Sequence, residues 1–127
     1  MGVEINKDAV KDAKENAALN GVRNISFYAA DAGKFMTELA ENGKKIDAVI
    51  MDPARAGADI HFLSSLVKLS PQKVIYVSCN PETLARDLAY LTKNGYKVRK
   101  IQPVDMFPHT EHIETVVLLT KKEINHE

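Results

Sequence analysis

The sequence holds a single cysteine in 127 residues, which excludes an internal disulfide. That usage suits a reducing compartment, so the cytoplasm is the expected location. No apolar run approaches the ~18 residues that a bilayer-spanning helix needs, and no membrane partner is expected. The opening residues, Met1 to Lys7, lack the basic stretch and apolar segment of a secretory signal. Net charge is missing too: 17 basic and 17 acidic side chains cancel, so bulk electrostatics neither favours nor excludes a nucleic-acid partner. Internal repeats, low-complexity tracts and linkers are all absent. What remains is one globular domain, or part of one, with an ordinary 45% hydrophobic and 27% charged residues.

The pattern of apolar residues predicts alternating strands and helices. Met1 to Ile5 reads as the tail of a strand, and Asn6 caps a helix that ends at Asn20-Gly21. Ile25 to Ala30 is a short strand, followed by a helix from about Gly33 to Glu41. Ile46 to Met51 is a strand broken only by Asp47, and such a run suits a parallel strand covered on both faces. Asp52-Pro53-Ala54-Arg55-Ala56-Gly57 is a loop. Asp59 caps the next helix, Val74 to Val77 is a buried strand, and Pro81 opens a helix with Leu84, Leu88 and Leu91 on its apolar face. Two further strands, Tyr96 to Val104 and Ile113 to Thr120, follow each other without a helix between them. Alternation implies right-handed crossovers and a parallel α/β sheet, and the last pair must then be antiparallel neighbours. The expected fold is a Rossmann-like, doubly wound sheet, mostly parallel, with one reversed strand at or near its edge.

Three carboxylates, Glu4, Asp31 and Asp52, fall at strand ends on one edge of that sheet. Cys79, in Ser78-Cys79-Asn80-Pro81, falls on the same edge, where a buried strand hands over to a helix N-terminus. Ligands of open α/β sheets bind at that edge. Backbone N–H groups and the helix dipole there also favour a thiolate. The competing reading of Cys79 is a small buried hydrophobe, and of each acid a helix cap or a solvated group. Glu4 fits the position from which an acid takes ribose hydroxyls, yet the glycine-rich turn expected ~20 residues before it is absent.

Val3-Glu4, Asp31-Ala32, Asp52-Pro53-Ala54-Arg55-Ala56-Gly57, Ser78-Cys79-Asn80-Pro81-Glu82-Thr83 and Asp105-Met106-Phe107-Pro108-His109-Thr110-Glu111-His112-Ile113-Glu114 come in a telling order. Together they resemble the successive motifs of the RNA uracil-5 methyltransferases, which make 5-methyluridine with S-adenosylmethionine. The resemblance covers nearly the whole chain. It implies a class I methyltransferase fold in which Glu4 binds the cofactor ribose, Asp31 sits near the adenine and Asp52 lines the pocket for cofactor and target base. Cys79 would be the nucleophile and Glu114 the proton acceptor. Arg55 or groups near Asn80 would meet charge developing on the uracil O4, and His112 would hold the Glu114 loop. Ala54 departs from the family, which usually has a second proline there. The stretch Gln102 to Thr110 looks more like the ribosomal-RNA members than the transfer-RNA members, so 23S rRNA is the expected partner and tRNA the second. No metal is expected, since Cys79, His109 and His112 lack zinc-ligand spacing.

The resemblance also implies a first strand and a glycine loop that these residues do not contain. The expectation is therefore a C-terminal fragment of the catalytic domain, with a gap between the strands ending at Glu4 and Asp52 and with weak or absent cofactor binding. The gap is expected to close by re-pairing of the sheet, or by exchange with a second copy to give a dimer through exposed strands. Two other readings stay open: a non-catalytic half-domain acting as a scaffold, and a methyltransferase for another substrate with a structural cysteine.

Overall fold

The computed structural model describes residues 1–105 and 113–123. In chain order the elements are β1 (Gly2–Glu4), α1 (Lys7–Leu19), β2 (Phe27–Ala29), α2 (Ala32–Glu41), β3 (Ala48–Met51) and α3 (Ile60–Leu69). There follow β4 (Lys73–Ser78), α4 (Pro81–Lys93), β5 (Tyr96–Val104) and β6 (Glu114–Lys121). The helix starts are set by side chains that satisfy the orphan N–H groups of the first turn. Asn6 accepts from Asp8 and Ala9, Asp31 from Lys34, Asp59 from Phe62, and Asn80 from Glu82, with Pro81 pre-set for the first helical position.

The strands form two separate sheets. β1 and β2 pair in parallel, and β3, β4, β6 and β5 lie side by side in that order. β3 runs parallel to β4, while β6 is antiparallel to both β4 and β5. The reversed last strand is thus one place in from the edge, and it is the antiparallel neighbour of β5 that the absence of a helix between them requires. β1 and β3 do not pair with each other. Re-pairing of the sheet across the gap is therefore not what the chain does: side chains from α2 and β3, including Phe35, Met36 and Val49, stand along a cleft between the two sheets.

Side chains alternate across a strand, so each face of the four-stranded sheet can be read from the register. One face carries Met51, Val74, Tyr76, Val117 and Leu119, all buried, and packs on Met36 of α2, Leu63 and Leu66 of α3, and Leu84 and Leu91 of α4. The other face carries Ile75, Val77, Val116 and Leu118, half-buried, with Ile50 72% exposed at its margin. The core is one-sided, and it holds rigid the ends of β3 and β4.

Candidate active site

The carboxyl ends of β1, β2, β3 and β4 and the beginning of β6 share one edge. Glu4 is exposed at the end of β1, where one carboxylate oxygen accepts from the Asn6 N–H at 3.3 Å. Asp31 is exposed and caps α2, its Oδ1 accepting from the Lys34 N–H at 2.9 Å. Asp52 is exposed at the end of β3. Glu4 and Asp52 come together with Asp59 as carboxylates lining the cleft, a cavity of about 590 Å³ whose apolar walls include Phe35, Met36, Val49 and Met51. A wall of this kind suits a flat heterocycle, and carboxylates on the rim suit sugar hydroxyls. Asp31 itself is not among the lining residues, although its neighbour Ala32 is.

Cys79 lies outside that cleft, half-buried at the start of the turn into α4. Its backbone is fixed from both sides. The Ser78 hydroxyl donates to the Asn80 carbonyl at 2.9 Å and accepts from the Asn80 N–H at 3.1 Å, which closes a tight turn around the cysteine. Across the sheet, β4 pairs with β6 up to Ser78 opposite Thr115. The ladder ends at that pair, so Cys79 and Glu114 are each the next residue beyond it. Glu114 is half-buried there. His112, together with His109, lies outside the described residues. Among the described residues no three His, Cys, Asp or Glu side chains gather as metal ligands do.

Arg55 is exposed on the loop after β3, and among the described residues its guanidinium makes no ion pair. Its backbone is held instead. The Asn80 side-chain amide and the Thr83 hydroxyl donate to the Arg55 carbonyl at 3.0 and 3.2 Å. One turn further along α4, Arg86 Nη2 donates to the carbonyls of Ala56 and Ala58 at 3.0 and 3.1 Å. Asp87, 0% exposed, accepts from the Ala58 N–H at 2.9 Å, from the Tyr76 hydroxyl at 2.6 Å and from Arg86 Nε at 3.0 Å. Burial pushes the Tyr76 hydroxyl well above the ordinary tyrosine pKa, and its hydrogen bond to Asp87 pushes it further the same way.

Sequence reasoning finds Cys79, Asn80 and the strand-end acids but misses Ser78, Tyr76, Thr83, Arg86 and Asp87. The signal was present: Asn80, Thr83 and Asp87 recur at the i, i+3, i+7 spacing of one helix face, beside the leucine face.

Comparison with known proteins bears on this edge. The model of the tRNA (uracil-5-)-methyltransferase family matches residues 1–122. An uncharacterized RNA methyltransferase of Enterococcus faecalis is 50% identical over 120 residues, covering 94% of this chain and 26% of that protein. Another from Oceanobacillus iheyensis is 44% identical over 124 residues, covering 98% and 27%. The chain thus spans about a quarter of the length of the curated relatives it matches. The crystal structure of Pyrococcus abyssi tRNA (uracil-54, C5)-methyltransferase in complex with S-adenosyl-L-homocysteine superposes with a TM-score of 0.81 at 37% identity, covering 94% of this chain and 28% of that one. A precorrin-6y C5,15-methyltransferase from Geobacter metallireducens, at 14% identity and TM-score 0.72 over 94% of this chain and 66% of that one, shares the fold alone.

Proposed function

Since the chain belongs to the RNA uracil-5 methyltransferase family, we propose that residues 1–127 are the C-terminal part of a catalytic domain that methylates C5 of a uridine in RNA. The enzyme works in the cytoplasm on 23S rRNA, with tRNA as the second candidate, and the 127 residues alone lack the machinery to turn over. One observation supports the reading: β4 and β6 pair as far as Ser78 opposite Thr115, so Cys79 and Glu114 follow directly on that last pair, on the edge where Glu4 and Asp52 line the cleft.

The chemistry asks for this pair. C5 of uracil is a poor nucleophile, and bonding of the Cys79 sulfur to C6 makes it enolate-like. S-adenosylmethionine, when bound, supplies the electrophilic methyl group that C5 receives. Glu4 would hold its ribose, Asp31 would sit by its adenine, and Asp52 would stand between cofactor and base. The lining of the cleft fits such a group: three carboxylates, Glu4, Asp52 and Asp59, beside apolar walls. Glu114 takes the C5 proton, after which the bond between Cys79 and C6 breaks and the thiolate leaves. Arg55 or backbone groups near Asn80 would meet negative charge on O4, a role that preorganised donors perform well. His112 belongs to the support of Glu114. Edge pairing between two copies at β1 or β3 is the companion proposal for oligomeric state.

The test is covalent trapping. RNA with 5-fluorouridine at the target has no C5 proton to remove, so elimination stalls and the RNA stays on the cysteine. A protein of the relatives' full length carrying this segment is expected to form a denaturant-resistant adduct, and its Cys79→Ala variant none. Equal adduct from both would refute the nucleophile. Ribosomal and transfer RNA offered together decide between the two substrates.

A further inference from the structure

The loop 52–59 has almost no structure of its own. Its internal hydrogen bond runs from the Gly57 N–H to the Ala54 carbonyl at 2.8 Å. Asp59 at its end caps α3, and the side-chain bonds to residues 55–58 come from α4: Asn80 and Thr83 on the Arg55 carbonyl, Arg86 on the carbonyls of Ala56 and Ala58, and Asp87 on the Ala58 N–H. The same helix begins directly after Cys79. Tyr76, whose hydroxyl completes the shell of Asp87, belongs to the strand that delivers Cys79. A fully buried carboxylate is an expensive way to hold a helix, because its desolvation cancels much of what its partners give back, and an apolar side chain would hold it as well. What an apolar side chain could not do is fix the orientation of a peptide group two elements away.

We propose that Asp87, Arg86 and Tyr76 form a positioning cluster that sets the loop 52–59, and with it Asp52 and Arg55, at a fixed register against Cys79. The proposal rests on the uridine methylation reading above. The cluster touches no substrate. It acts by making the two halves of the pocket, the end of β3 and the start of α4, move as one body. Arg86 is the informative residue because its side chain is 58% exposed, so removing it opens no cavity in the core, while the loss of Asp87's paired charge is read separately in the melting temperature. Lysine at that position can still reach one carbonyl but cannot span two as the guanidinium fork does.

The experiment uses a protein of the relatives' full length carrying this segment. The rate of trapping on 5-fluorouridine RNA is measured at saturating RNA, beside RNA affinity and melting temperature, for wild type, Arg86→Ala, Arg86→Lys and Tyr76→Phe. Arg86→Ala is expected to slow trapping at least ~10-fold while RNA affinity stays within ~3-fold, and Arg86→Lys to recover part of the rate. Tyr76→Phe is expected to slow it as well, by removing the donor that fixes the Asp87 carboxylate. Trapping at the wild-type rate in all three variants overturns the cluster's role, as does a loss that only follows the melting temperature. A wild type that traps nothing removes the function reading instead, and this inference with it.

Discussion

Replacing Gly57 with alanine probes the junction between loop and helix more sharply than any deletion. Gly57 has φ +78°, in the left-handed region where a side chain costs about 1 kcal/mol. A Cβ there would also lie 2.7 Å from Arg86 Nη2, 2.8 Å from Thr83 Cβ and 2.9 Å from Asp87 Oδ2. Thr83 Cβ and Asp87 belong to a packed helix and cannot swing away, so the contact adds about 2 kcal/mol of overpacking. The expected total is about 3 kcal/mol. Gly43 supplies the control: its φ is +68° and a Cβ would meet nothing within 4 Å, so Gly43→Ala carries the backbone cost alone. Urea unfolding of both variants at unchanged m-value should separate them by about 2 kcal/mol. Since the clash pushes loop and helix apart, Gly57→Ala should also slow trapping on 5-fluorouridine RNA, and Gly43→Ala should not. If the two variants were equally stable and equally fast, the close approach of loop and helix inferred here would be wrong.

Two further outcomes follow from other parts of the fold. Burial pushes the Tyr96 hydroxyl, which donates to the Pro71 carbonyl at 2.6 Å, from 10.0 up to about 12. The folded state thus keeps a proton that the unfolded state gives up. Its contribution to stability is whole below pH 10.0 and fades as pH rises through about 12, by up to about 1.4 kcal/mol per pH unit. The raised Tyr76 works in the same direction. Denaturation midpoints across that range should fall less steeply in Tyr96→Phe, and identical slopes would contradict the assignment. Calorimetry on the 127-residue chain alone should give weak or no binding of S-adenosylmethionine, because the cleft has β1 and β3 as walls and no strand joining them; micromolar affinity would refute this.

Local chemistry was legible wherever a residue acts on its own neighbours. Asn6 and Asp59 read as helix caps and are caps, and Asn20-Gly21 reads as a helix end and is one. A gap between β1 and β3 was expected from the motifs that the chain lacks, but its closure by re-pairing was expected too and does not occur. Strand lengths were less legible: β2 begins at Phe27 and β3 at Ala48, later than the apolar runs suggest, because hydrogen-bonded partners rather than hydrophobicity decide where a strand starts. The insertion of β6 between β4 and β5 lies beyond the statement that the last strands are antiparallel neighbours. Asp87 was invisible for a physical reason. An aspartate after an arginine on a helix reads as solvated, and only the tertiary approach of the loop 52–59 turns it into the buried centre of a network.

The place of β6 governs how this half of the protein is made. β5 leaves α4 with no neighbour to pair with until a strand synthesised after it has slid between it and β4. Such non-local pairing is slow, and while it is pending β4 and β5 are two open edges on a nascent chain. Ser78 and Thr115, the neighbours of Cys79 and Glu114, meet only through that last strand. On the proposed reading, Cys79 and Glu114 are thus brought to one edge only when the sheet closes, as the last step of its assembly.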